Sequence, residues 1–183
     1  AVHLAKIADA TVIATGRNAE KLEGVANQGA DHVIHAAEPK FRDAVKELTG
    51  GRGVDLVYDG VGGPSSLEAI RCVRFGARYL VVGWAATPFV AKGKGQRGAP
   101  NANVLPTNLI MMKGLDVLGC PTAISTHQDP TIRRRRLAAI QGWIDSGQLR
   151  PHVGESFALT EYVEAMKAKW TSRFVGGCVV HPW

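Results

Sequence analysis

The sequence predicts an α/β protein built on a doubly wound parallel sheet. Three observations carry this reading: short β-branched apolar runs, amphipathic segments alternating with them, and glycines where the runs end. The chain has 183 residues, enough for one ordinary domain with a sizeable core, and 1–183 is read as one domain.

The first segment, Ala1 to Ala8, places Leu4, Ile7 and Ala8 on one helical face, with neither a starting Met nor a capping residue before them. It reads as the body of a helix, so an element is expected upstream. Thr11 to Thr15 is a buried-strand run, and Gly16-Arg17-Asn18 is a turn with Asn18 as N-cap. The helix from Ala19 carries Leu22, Val25 and Ala26 and stops at Gly29. His32 to Ile34 is the second strand. A helix after Pro39 is expected to bury Phe41, Ala44, Val45 and Leu48. The third strand is Val54 to Asp59, with a Gly60-Val61-Gly62-Gly63 loop at its carboxyl end. A helix from Pro64 carries Leu67, Ile70 and Val73, and Tyr79 to Gly83 is the fourth strand. Trp84 to Pro106, without clear periodicity, reads as a surface loop. Asn108 to Lys113 is a short helix and Leu115 to Gly119 a strand. A helix after Pro130 is expected to bury Leu137, Ile140 and Ile144. The tail adds Val153 to Phe157, a helix capped by Thr160, and a last strand near Cys178 to Val180.

Composition narrows the function classes. With 45% hydrophobic and 21% charged residues the chain is globular rather than disordered. No apolar run approaches the roughly 20 residues of a membrane helix. The net charge of +6 suits an anionic small ligand as well as nucleic acid. Three widely spaced cysteines without a C-x-x-C point to reduced thiols in a cytoplasmic protein, with no metal site.

The dinucleotide fingerprint is a strand, G-x-G-x-x-G, then a helix, and it is absent from the start of this chain. Two readings fit that absence: Ala1 to Ala8 is only a terminal helix, or the chain is a Rossmann-type sheet lacking its first strand and glycine-rich loop. Sites that prefer NAD carry an acid at the end of the next strand, to bind the ribose hydroxyls. Here that strand runs into Gly16-Arg17-Asn18, with Lys21 one turn on. A small residue, a guanidinium and an ammonium suit a 2′-phosphate, which favours NADP over NAD. Gly60, Val61, Gly62, Val82 and Gly83 end consecutive strands, where small residues let a planar ring approach the backbone. Arg133 to Arg136 read as a solvated helix start. With no interleaved aromatic platform they argue against nucleic acid. No tyrosine has a lysine four residues on, and G-x-S-x-G and H-E-x-x-H are both absent, so no catalytic residue is assigned.

Several segments together resemble a family. They are Ala1 to Lys6, Val12 to Thr15, Glu20-Lys21-Leu22, Gly29 to Ile34, Leu48 to Asp55 and Asp59 to Gly63. The combination is similar to the cofactor half of medium-chain dehydrogenases/reductases. Pro106 to Gly114 resembles the quinone-oxidoreductase branch, and Leu149 to Gly177 that branch's C-terminus. The resemblance implies a Rossmann domain partnered by an N-terminal GroES-like domain, with hydride passing from NADPH to quinones, enones or related activated double bonds. It places Gly16, Arg17, Asn18 and Lys21 at the 2′-phosphate, His35 beside the adenosine, and Val61, Gly62, Val82 and Gly83 toward the nicotinamide. Arg173 is a further cofactor contact by the same resemblance. Gly177 stands where relatives often have Lys, a departure at a C-terminal contact. Relatives pair an edge strand, which implies a homodimer through Leu115 to Cys120. Two alternatives stay open: a zinc-dependent alcohol dehydrogenase of the same superfamily, and a non-catalytic Rossmann-like binding or assembly module.

Overall fold

A computed structural model describes residues 1–86 and 103–182. The described chain forms two compact units, residues 1–37 with 131–183 and residues 38–130. Every strand pair is parallel, as the apolar runs predict.

In the first unit, α1 (Val2–Ile7) precedes β1 (Ile13–Gly16), α2 (Ala19–Asn27) and β2 (His32–His35). The register of β1 on β2 sets Gly16 opposite His35. Asn18 caps α2, its Oδ1 accepting the Lys21 N–H at 2.9 Å, and Gly29 takes φ +101° where the helix is left behind. Further along the chain, β6 (Val153–Ala158) and β7 (Gly177–His181) pair around α8 (Tyr162–Trp170), over a core of Phe157, Ala165 and Ala168. Thr160 does not cap this helix. A 3-10 turn, Leu159–Glu161, intervenes, and the Glu161 carboxylate instead accepts the Ala158 N–H at 3.0 Å. The helix α7 (Pro130–Asp145) has no buried side chain, so the burial expected of Leu137, Ile140 and Ile144 is not found. Leu137 is 53% exposed.

In the second unit, β3 (Val54–Asp59), β4 (Val73–Val81) and β5 (Asp116–Gly119) form one sheet in that order. Helices α3 (Arg42–Leu48), α4 (Pro64–Cys72), α5 (Thr107–Lys113) and α6 (Thr122–Gln128) complete it. Ile70, Val73, Ala77, Tyr79 and Leu115 form its core. Two expectations are corrected here. The fourth strand starts at Val73 rather than Tyr79, because α4 passes into it without a loop. Leu48 is 42% exposed, although Phe41 and Val45 of the same segment are buried. The helix α6 was not expected from the sequence. The loop read from Trp84 to Pro106 falls largely on 87–102, outside the described residues.

Among the described residues the strands form three separate hydrogen-bonded sheets, β1-β2, β3-β4-β5 and β6-β7, where the sequence predicts one. The β1-β2 and β6-β7 pairs lie in the first unit and β3-β4-β5 in the second. No helix among the described residues is long and apolar enough to cross a membrane.

Candidate functional site

The residues predicted to form a site fall into two groups, one in each unit. In the first unit the strand β1 ends at Gly16, and a Cβ there would stand 3.1 Å from the buried Leu22 side chain. The position is small because α2 turns back across it. Arg17 follows, exposed, with its backbone carbonyl 3.1 Å from Nε2 of His35. That contact ties the end of β1 to the end of β2. No hydrogen bond or ion pair engages the Arg17 guanidinium among the described residues, and no carboxylate pairs with Lys21. The Lys21 ammonium instead donates to the Ser172 backbone carbonyl and, at 2.5 Å, to its Oγ. Two cations thus lie one helical turn apart without a counter-ion, and Asn18 fixes the backbone between them.

Arg173 is in the same unit but already engaged. Its guanidinium reaches Glu155 at 2.6 Å and Glu164 at 3.0 Å and lies 5.7 Å from the centre of the Phe157 ring. The Glu155 hydrogen bond, with both carboxylates' charge, raises its pKa further.

In the second unit the ends of β3 and β4 meet backbone to backbone. The N–H groups of Val82 and Gly83 donate to the Asp59 carbonyl at 2.8 and 3.1 Å. Those of Ala85 and Ala86 donate to the carbonyls of Gly60 and Val61 at 3.2 and 2.8 Å. Space for a side chain is tight at two positions here. A Cβ on Gly83 would lie 3.1 Å from the Gly60 oxygen, and Gly62, at φ +77°, would set one 3.0 Å from the Trp84 Cα. The loops predicted from separate strand ends are therefore brought together. Among the described residues no donor reaches the carbonyls of Val82 or Gly83.

Beneath the loops lies a cluster that sequence reasoning missed. Asp59, only 5% exposed, accepts the N–H groups of Val61 and Gly62 on Oδ1 at 2.9 and 3.0 Å. Its Oδ2 accepts the Tyr79 hydroxyl at 2.7 Å and the Ser66 hydroxyl. Ser66 and Tyr79 are fully buried. Burial pushes the Asp59 carboxyl up, but these hydrogen bonds outweigh it and hold the group below the usual aspartate range. Burial and the bond to Asp59 push the Tyr79 hydroxyl up in turn. The available signal was an Asp ending a strand directly before Gly-x-Gly, a pattern that forms Asx turns.

Among the described residues no group of three His, Cys, Asp or Glu side chains is placed to hold a metal ion. Cys72, Cys120 and Cys178 are free thiols, and burial pushes that of Cys72 up to about 11. Two open clefts of the first unit, about 460 and 340 Å³, are lined by none of the predicted residues.

A family model described as zinc-binding dehydrogenase matches residues 1–129. Quinone oxidoreductase-like protein 2 of Bos taurus is 31% identical over 159 residues, covering 87% of this chain and 42% of that protein. Among solved structures, an NAD-dependent alcohol dehydrogenase superposes with a TM-score of 0.73 at 26% identity, over 100% of this chain and 47% of its own. A mycobacterial protein solved in complex with NADPH gives 0.75 at 23%, over 99% and 53%. The fold is thereby the Rossmann-type one predicted. The chain spans less than half the length of the curated relatives it matches.

Proposed function

The chain belongs to the zinc-binding dehydrogenase family, among the medium-chain dehydrogenase/reductase oxidoreductases, and from that premise we propose that it binds NADP(H) for the reduction of quinones, enones or related activated double bonds. The observation that carries the cofactor choice is the Arg17 guanidinium, free among the described residues, at a strand end that has no acid. A 2′-phosphate brings up to two negative charges and three acceptor oxygens, which a planar guanidinium meets with paired hydrogen bonds. An NAD-type ribose would need a carboxylate there instead.

NADPH, when bound, supplies a hydride from its nicotinamide ring, and the protein contributes binding, orientation and field. Arg17 and Lys21 would hold the 2′-phosphate, Asn18 would fix the turn between them, and His35 would stand beside the adenosine. The Gly60 to Gly62 and Val82 to Gly83 backbones would take the nicotinamide end, with the Val82 and Gly83 carbonyls offered to its amide. The described residues provide no ligand set for zinc, and no step is assigned to a metal. We place the protein in the cytoplasm on its free thiols. We also propose that it pairs with a second copy through β5, whose outer edge has no partner strand among the described residues.

Titration of the intact protein with NADPH and NADH, followed by nicotinamide fluorescence, tests the reading. NADPH is expected to bind the more tightly. Arg17→Glu should weaken NADPH by about tenfold or more, the scale of a lost charge-assisted pair, and leave NADH nearly unchanged. Tighter NADH binding in the wild type, or an Arg17→Glu variant with unaltered NADPH affinity, overturns it.

A further inference from the structure

We propose that Asp59 is a positioning residue for the nicotinamide end of the cofactor, acting through the Gly60 to Gly63 loop; this rests on the NADP(H) reading above. A loop containing three glycines has many backbone states, and Gly62 and Gly63 occupy left-handed ones at φ +77° and +61°. Such a loop holds one shape only if something specifies it. Asp59 does so with both oxygens. Oδ1 gathers the Val61 and Gly62 N–H groups, while Oδ2 is anchored by the hydroxyls of Tyr79 and Ser66 from inside the core.

The anchors are rigid. Tyr79 lies within β4 and Ser66 within the first turns of α4, both with no solvent exposure. The backbone carbonyl of Asp59 also receives Val82 and Gly83, so one residue sets both loops: its side chain orders the first, its main chain the second. Asn103 completes the arrangement by accepting the Gly63 N–H at 3.2 Å. All three N–H groups from Val61 to Gly63 are thus turned into the protein, and their donors are consumed there. The role follows from geometry rather than charge. An asparagine could keep its oxygen on the two amides and donate its NH2 to the Ser66 and Tyr79 hydroxyls, which accept as readily as they donate. Alanine could do neither.

The test compares Asp59→Ala and Asp59→Asn in the intact protein, using NADPH and 2′,5′-ADP as probes. The second probe carries the adenosine end alone. In the alanine variant NADPH affinity and turnover are each expected to fall by about tenfold or more, tenfold in affinity being ~1.4 kcal/mol. Its binding of 2′,5′-ADP should stay within about twofold, and its near-ultraviolet circular dichroism should match wild type, which a variant with an unfolded second unit could not show. The asparagine variant should restore NADPH binding and turnover close to wild type. Wild-type NADPH affinity and turnover in Asp59→Ala, or an asparagine variant no better than the alanine one, overturns the positioning role and leaves the cofactor reading intact. A wild type that binds neither probe overturns the cofactor reading and this role with it.

Discussion

Single residues at the two sites differ in how far the sequence reveals them. Arg17 was legible in place, since the sequence alone puts it at a strand end without an acid. Lys21 was legible in place but not in partner, since Ser172, which holds it, lies 151 residues away. Asp59 was not legible, because its partners Ser66 and Tyr79 are 7 and 20 residues distant, and only the packing of α4 and the pairing of β4 against β3 make them neighbours. Its carboxylate carries a consequence for acid stability. The folded group releases its proton more readily than the ordinary aspartate, whose pKa is 3.8. The unfolded chain therefore takes up a proton first as pH falls. The stabilisation is complete above that ordinary value and disappears as pH drops through the folded one. Denaturant melts between pH 6 and pH 2 should show Asp59→Asn losing less stability than wild type over the acid limb. Equal slopes for the two proteins would show that this carboxylate does not couple folding to pH.

At the scale of elements, legibility followed the strength of local punctuation. The strand Val54–Asp59 was read at its observed limits because Gly53 and Gly60 bound an unbroken β-forming run. The fourth strand was read late because Val73 ends one apolar periodicity while beginning another, and no turn residue separates them. The helix α6 offers few apolar side chains at helical spacing, so nothing marked it. The fifth strand carries a test of assembly. The Cys120 N–H donates to the Val81 carbonyl at 2.9 Å, so strand alternation turns the N–H groups of Val117 and Gly119 toward the open edge. All four residues of β5 are exposed, and Val117 and Leu118 offer apolar surface to a partner. Val117→Pro removes an outward donor and sparing the inward ladder leaves β4 paired. Sedimentation velocity should show a dimer for wild type and a monomer for the variant, with cofactor affinity within about twofold. A wild-type monomer, or a variant dimer of wild-type strength, would mean that this edge does not assemble the protein.

For the whole molecule the governing quantity is charge. The chain carries 22 lysines and arginines against 16 acids, a net +6. Arg133, Arg134, Arg135 and Arg136 are all exposed on α7, with no ion pair among the described residues. Read locally they are a solvated helix start. Read as part of the field, they are four uncompensated charges on a protein proposed to capture a polyanionic cofactor. Fields of this kind act on encounter more than on the bound state, because salt screens them beyond about 8 Å at physiological strength and about 30 Å at 0.01 M. Replacing all four arginines by glutamine removes much of the net charge without touching Arg17 or Lys21. In stopped-flow mixing at about 0.01 M salt, NADPH association should be several-fold slower for the variant, and the two rates should converge by about 0.5 M. Dissociation rate and the preference for NADPH over NADH should not move, since both report the contacts of the bound cofactor. Equal association rates at low salt would show that the arginines play no part in steering. A changed preference would instead place them in contact with the cofactor itself.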